Sequence, residues 1–246
     1  MIHGTYCTAK ELSSPWVRRW ANLLGETWRP HRKLWEFAII CEAMESEGLL
    51  QPGCRAVGFG VGMEPLVALF ASRGVEVTAT DAARGGWFHT CKEKLNSRGI
   101  CQSDVFERLV TFRELDMNWI PDDLTGFDFC WSCCSMDHLG SIRLSKRFVY
   151  ESLKTLRSGG VAVHVGEFGP KLTWRDVDRQ DVVVWNQFDV DECRGWLELH
   201  GHAAPFDHNP SLIDADRITD RRKPHIRLAI SGVEATSFGL VIRKGA

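Results

Sequence analysis

Three absences narrow the field before any motif is read. No apolar run approaches the roughly 20 residues that a membrane-spanning helix needs, so no membrane span is expected. The first ten residues hold no apolar stretch of the kind a secretory signal requires, so none is expected. Charge of neither sign dominates: 30 Lys and Arg stand against 32 Asp and Glu, a formal net charge of -2. Nucleic-acid-binding surfaces usually carry a basic surplus, so no nucleic-acid partner is expected. The short run Arg221-Arg222-Lys223 reads as a solvated loop.

Disulfide and metal frameworks are lacking too. The nine cysteines are odd in number and scattered, which reads as free thiols in a reducing, cytoplasmic compartment. Cys130-Trp131-Ser132-Cys133 is a CxxC without the second pair that zinc would want. It lies on an expected buried strand, not at a helix start where a redox pair gains a low thiol pKa, so these cysteines read as core. His164, Glu167 and His208 carry ligand chemistry, but nothing has H-E-x-x-H spacing, and no metal is expected.

What is present is a strand–loop–helix–strand pattern in a chain of 246 residues, enough for one α/β domain with a substantial core. Residues 1–50 are crowded with Trp16, Trp20, Trp28 and Trp35 and allow two amphipathic helices, one starting at Ser14-Pro15 and one over residues 32–47. They read as a helical cap on the sheet; the sharper alternative is a lid with Trp35 or Trp28 on the substrate. Strands are expected at 55–59, 76–80, 110–113, 127–132 and 161–165, with helices at 64–72, 84–98 and 144–156 between them. Such alternation makes a parallel sheet with right-handed crossovers. A helix over 189–200 and a strand over 202–206 follow. Residues 226–230 and 237–242, joined by a short connection, can pair only antiparallel, as a hairpin.

The segment Arg55 to Pro65 organises this pattern. Gly58, Gly60 and Gly62 follow a short apolar strand, a helix follows them, and the next strand ends on Asp81. Alternating glycines let a ligand approach the backbone, and an acid at the following strand end suits ribose hydroxyls. A dinucleotide fingerprint spaces its glycines G-x-G-x-x-G; here the spacing is G-x-G-x-G, with Met63 where the third glycine would stand. The tighter loop suits a ligand without a pyrophosphate.

Further candidates fall at later strand ends: Asp116-Met117-Asn118, Ser132-Cys133, and Asp137-His138-Leu139. With the glycine loop, Asp81 and the turn Leu156-Arg157-Ser158-Gly159-Gly160, they make the chain resemble the class I S-adenosylmethionine-dependent methyltransferases from about residue 55 to 168. Segments outside that core, including Phe238-Gly239-Leu240-Val241-Ile242, look like a bacterial-type branch that modifies small molecules or glycans. The fold so implied is a Rossmann-like, doubly wound, mostly parallel sheet with a C-terminal antiparallel hairpin and an N-terminal helical cap. It would form one domain, 1–246, with cap 1–50, cofactor-binding core 51–170 and substrate-side elements 171–246.

The resemblance implies S-adenosyl-L-methionine as cofactor and S-adenosyl-L-homocysteine as product. Gly58, Phe59, Gly60 and Gly62 would lie along the methionine portion, Asp81 and Ala82 at the ribose, and Asp116, Met117 and Asn118 at the adenine. Ser132 and Cys133 would line the cofactor from the fourth strand. One departure is Ala56, where the family commonly has an acid two positions before the first loop glycine; Glu64 is the candidate replacement. Read from the residues alone, Asp81 also suits a helix N-cap, Asp116 a turn, and Glu64 a favourable place near a helix N-terminus.

Methyl transfer is an in-line displacement, and an oxygen nucleophile also needs its proton removed. A neutral histidine near pH 7 is the natural base. His138 is the first candidate, with Asp137 to orient it or act itself; Glu167 is a second base or substrate ligand. A histidine there also suits a plain structural cap. The expected acceptor is a hydroxyl or amine on a small molecule or glycan precursor. The competing functions are an NAD(P)-dependent oxidoreductase, disfavoured by the glycine spacing and hairpin, and a non-catalytic cofactor-binding module, kept open by Ala56.

Overall fold

In the computed structural model, which describes residues 2–82, 91–170, 177–178, 181–208 and 226–246, the chain begins with a two-residue strand, β1 (Thr5–Tyr6). Three helices follow: α1 (Ala9–Leu12), α2 (Pro15–Leu23) and α3 (Arg32–Ser46). Pro15 sits in the first turn of α2 behind Ser14, where its missing N–H costs no hydrogen bond. Trp20 and Trp35 are fully buried against the sheet rather than turned to a ligand. Burying side chains of this size contributes on the order of 2–3 kcal/mol each. The cap expected over residues 1–50 therefore shares a core with the sheet.

The alternating region follows as β2 (Arg55–Phe59), α4 (Leu66–Ser72), β3 (Glu76–Asp81), α5 (Ser103–Leu109), β4 (Val110–Glu114), β5 (Phe127–Cys133), α6 (Ile142–Ser152) and β6 (Leu156–Phe168). The expected helix over 84–98 falls largely outside the described residues, and its described part is one 3-10 turn at Lys92–Lys94. Helix α5 was not expected. Helix α6 stops earlier than its apolar pattern suggested, because residues from Leu156 onward leave it to pair with Phe127 in β5.

The C-terminal part adds β7 (Val177–Asp178), β8 (Val183–Val184), α7 (Gln187–Leu199), β9 (Leu228–Ile230) and β10 (Val233–Arg243). A capping box of Asn186 and Asp189 starts α7, two residues ahead of its expected start. Residues 202–206 form no strand, only isolated bridges at Ala203 and Phe206. The hairpin is present: Val233 pairs with Ile230, and β10 then runs on antiparallel to β6 from Thr236 to Arg243. The basic run 221–223 lies outside the described residues.

The main sheet has the order β1-β10-β6-β5-β2-β3-β4, with β9 beside β10. Strands β6, β5, β2, β3 and β4 are parallel, and β10 is antiparallel. Side chains alternate between two faces. Phe129, Trp131, Val161, Val163 and Val165 meet the α1–α4 side, while Val57, Phe59, Cys130 and Ala162 meet α6 and α7. Strand β2 has β3 on one side and β5 on the other, so connections leave in opposite directions here. In open α/β sheets such a switch point, at the carboxyl ends of the strands, opens a crevice for ligands.

Candidate active site

A cavity of about 750 Å³ lies at that switch point. Its floor is the loop after β2. Gly60 and Gly62 both take left-handed backbone, with φ of +59° and +52°, which glycine adopts without strain. A Cβ on Gly60 would also come within 2.5 Å of the Ser135 side chain. Gly58 serves another purpose: a Cβ there would lie 2.3 Å from the Trp131 ring, so this glycine makes room for the indole.

That indole then does something the sequence did not announce. Trp131 Nε1 donates to Glu64 Oε1 at 2.5 Å, and Glu64, only 9% exposed, lines the cavity. Burial pushes the Glu64 carboxyl up to about 8, against the lowering effect of the indole hydrogen bond and of nearby Lys33. An acid therefore stands at the loop despite Ala56, supplied from just before α4 rather than from β2.

Asp81 closes the loop from β3. Its Oδ2 accepts from the Gly62 N–H at 2.8 Å and its Oδ1 from the Ala82 N–H at 2.8 Å, so each oxygen keeps a lone pair for a ligand. At the next strand end Asp116 Oδ1 accepts from the Asn118 N–H at 2.8 Å, an Asx turn that fixes the wall. Asn118 Oδ1 in that wall is buried without a hydrogen-bond partner. Asp116, Met117, Asn118, Cys133 and Ala82 all line the cavity.

Other expected residues do not reach it. Phe59 is fully buried, packed edge-on against Phe148. Ser132 points to the opposite face of β5 from Cys133 and hydrogen-bonds His164 at 2.9 Å. Strand alternation makes this unavoidable: neighbouring residues cannot both face the cavity side. Asp137 is 1% exposed, and its Oδ1 accepts from the Glu167 N–H at 3.1 Å. Glu167 is buried too, its Oε1 paired with Arg32 at 2.7 Å. Of the three expected catalytic residues only His138 borders the cavity. Its Nδ1–H donates to the Asp181 carbonyl at 2.7 Å, so the ring is oriented by that carbonyl and not by Asp137.

His164, Glu167 and His208 do not converge. His164 lies between Ser132 and Ser152, kept neutral by burial, which lowers its pKa to about 3. His208 bonds Tyr6 at 3.2 Å. Cys130 and Cys133 belong to opposite faces of the sheet, and all nine cysteines are free.

Several cavity residues escaped the sequence reading. Helix α3 contributes Lys33 and Phe37, in place of the tryptophans, and Cys134, Ser135 and Asp181 complete that side. Beneath them, Arg32 Nη1 donates to Glu36 Oε1 at 2.8 Å and Lys33 reaches Glu36 Oε2 at 2.7 Å. Despite complete burial, these two cations hold the Glu36 carboxyl down at about 2. Burial and then the neighbouring Glu167 charge push Asp137 well above the carboxylate range. The i,i+4 spacings Arg32–Glu36 and Lys33–Phe37 were visible in the sequence, but not the strand ends they meet.

Fold and cavity together define a Rossmann-like α/β domain with a ligand crevice at the β2/β5 switch point. No protein-family profile matches the chain, and no curated protein sequence matches it. Solved structures do. The cyclase SpnF aligns at 15% identity and a TM-score of 0.58, over 96% of this chain and 93% of the other. Phosphoethanolamine N-methyltransferase 2 of Haemonchus contortus, solved with S-adenosyl-L-methionine, aligns at 12% identity and a TM-score of 0.56, over 94% of this chain and 57% of the other. The 1,6-didemethyltoxoflavin-N1-methyltransferase of Burkholderia thailandensis, solved with S-adenosylhomocysteine, aligns at 13% identity and a TM-score of 0.50, over 84% and 76%. The fold is thus the one found in class I S-adenosylmethionine-dependent methyltransferases. One of its bearers is a cyclase, so the fold alone leaves the chemistry open.

Proposed function

We propose that the protein is an S-adenosylmethionine-dependent methyltransferase acting on a hydroxyl or amine of a small molecule. The observation that carries this reading is the row of acids Glu64, Asp81 and Asp116 along one cavity, beside a glycine loop. Such a row suits a ligand with an ammonium group, a ribose diol and an exocyclic amine. The loop beside it is spaced G-x-G-x-G, with Met63 where a dinucleotide loop has its third glycine, and this disfavours NAD and NADP. In this reading Glu64 takes the ammonium, Asp81 the ribose hydroxyls, and Asp116 with Asn118 the adenine edge, where the unpartnered Asn118 Oδ1 gains a donor.

When bound, the cofactor supplies a methyl group already activated on sulfonium sulfur. The chain then has two tasks. One is to hold the acceptor in line, and orientation of this kind can supply about 7–11 kcal/mol of the barrier. The other is to accept the acceptor's proton. The His138 ring, which borders the cavity and whose Nδ1–H donates to the Asp181 carbonyl, is the candidate for that task.

A thermal-shift panel of S-adenosylhomocysteine, S-adenosylmethionine, NAD and NADP tests this. A ligand at about 100 times its Kd stabilises by about 2.7 kcal/mol, which for a chain of this size means a shift of roughly 5–10 °C. The first two ligands should give it and Asp81→Ala should remove it. A larger shift with NADP, or none with the first pair, would overturn the reading. His138→Ala should keep the shift and lose turnover; full-rate turnover would end its role as base.

A further inference from the structure

The inner wall of the cavity carries chemistry that this reading does not use. Just past the end of β5, Cys134 takes left-handed backbone with φ of +52°, and its N–H is bonded to the Val165 carbonyl at 2.9 Å. Non-glycine residues are held in that region only when their surroundings enforce it, and such positions cluster at functional sites. The thiol of Cys134, a carboxylate oxygen of Asp137 and one of Glu167 lie within 4.8 Å of one another. Cys134 borders the cavity, which gives solutes a route to the group.

The two acids are prepared in the same manner. Asp137 Oδ1 is held by the Glu167 N–H at 3.1 Å, and Glu167 Oε1 by Arg32 at 2.7 Å. The other oxygen of each, Asp137 Oδ2 and Glu167 Oε2, is buried with no hydrogen-bond partner, although the residues are only 1% and 6% exposed. Buried polar atoms left in this condition are rare. Carboxylates that bind metals show this division of labour, with one oxygen on the ion and the other oriented by a neighbouring donor. A second triangle of the same size, Glu36 with Cys133 and Cys134, shares the Cys134 thiol. Arg32 and Lys33 are engaged with Glu36, and Arg32 also with Glu167 Oε1, and neither donates a hydrogen bond to Asp137 Oδ2 or Glu167 Oε2.

We propose that Cys134, Asp137 and Glu167 form a site for one divalent transition cation of the zinc class. A thiolate with two carboxylate oxygens matches a borderline-soft ion, whereas magnesium and calcium prefer oxygen alone. Tetrahedral zinc, with bonds of about 2.3 Å to sulfur and about 2.1 Å to oxygen, sets its ligand atoms roughly 3.4–3.6 Å apart. The three atoms, within 4.8 Å of one another, need to close by roughly 1 Å at most to reach that spacing. Three protein ligands leave a coordination position for water or for an oxygen of the acceptor, the arrangement of catalytic rather than structural zinc. The sequence hid this set because its members meet only where the turn after β5 packs on the end of β6.

The site does not depend on the methyl-transfer reading, and its test uses metal alone. The full chain is stripped with a chelator, equilibrated with Zn²⁺, dialysed, and its zinc counted by elemental analysis; about one ion per chain is expected. Replacement by Co²⁺ should give a thiolate-to-cobalt charge-transfer band in the near ultraviolet. Cys134→Ser should abolish the band, and Asp137→Asn, which keeps the side chain's shape, should weaken Zn²⁺ binding at least tenfold. Cys91→Ser, at a thiol that does not border the cavity, should change neither. Cooperative melting of each variant shows that it is folded, and Glu167→Gln is the second acid variant if Asp137→Asn fails that check. Less than about a tenth of an ion retained by the wild-type chain, or a cobalt band that survives Cys134→Ser, would overturn the proposal.

Discussion

Glu64 is a carboxyl in a place where a carboxyl is costly, and its cost has a readable sign. Burial lifts it to about 8, so near pH 7 it is largely protonated before a ligand arrives. If a ligand ammonium docks against it, the new positive charge lowers that pKa and the proton leaves. Binding of S-adenosylhomocysteine at pH 7 should therefore release up to one proton, falling toward zero well above pH 8. Calorimetry in buffers of different ionisation enthalpy measures this directly. Glu64→Gln should bind more weakly and release none; unchanged release in that variant would take Glu64 out of the site. The same residue shows what a sequence conceals. Ala56 was legible as a missing acid and Glu64 as its candidate replacement. The Trp131 hydrogen bond that fixes Glu64, and the vacancy at Gly58 that admits the indole, depend on a residue 67 positions beyond Glu64.

At the scale of elements, helix α3 is fastened to the ends of β6 and β10 through one guanidinium. Arg32 bonds Glu36 on its own helix, Glu167 on β6 and Ser237 on β10. Removing one partner of a buried ionic group leaves uncompensated charge, typically at about 3–5 kcal/mol. Arg32→Met should lower urea stability by that order. Arg19→Met, which breaks an exposed pairing with Glu42 and Glu45, should change it by less than about 1 kcal/mol. Equal losses in the two variants would mean that the fastening is not electrostatic. The individual strands and the glycine loop were legible here because period-2 apolar runs and glycine punctuation are local signals. Ser132 was misplaced because its neighbour Cys133, not it, has the parity of the cavity side. Helix α5 went unseen because a seven-residue helix with Phe106 as its one buried residue leaves too short a pattern.

At the scale of the whole molecule, the segment read as a cap does not behave as a separate layer. Trp20, Trp35, Ile39 and Cys41 belong to the same apolar core as Phe129, Trp131, Val163 and Val241. A chain beginning at Gln51 would expose that face of the sheet, so it should not melt cooperatively. Calorimetry showing a sharp transition would establish the remainder as an independent domain. That unity was only half legible: amphipathic helices announce that they pack, not on what. The order of the outer strands was not legible at all, since no local pattern says that β10 inserts between β6 and β1.

That insertion has a consequence for how the protein is made. Ribosomes deliver a chain from its N-terminus. Thr5 and Tyr6 emerge long before their neighbours in the sheet, Gly239 and Phe238. The edge of the sheet at β1 must wait until Val233–Arg243 has been synthesised. Until then β6 presents an unpaired flank, and a nascent chain in that state offers an open strand edge to chaperones or to other chains.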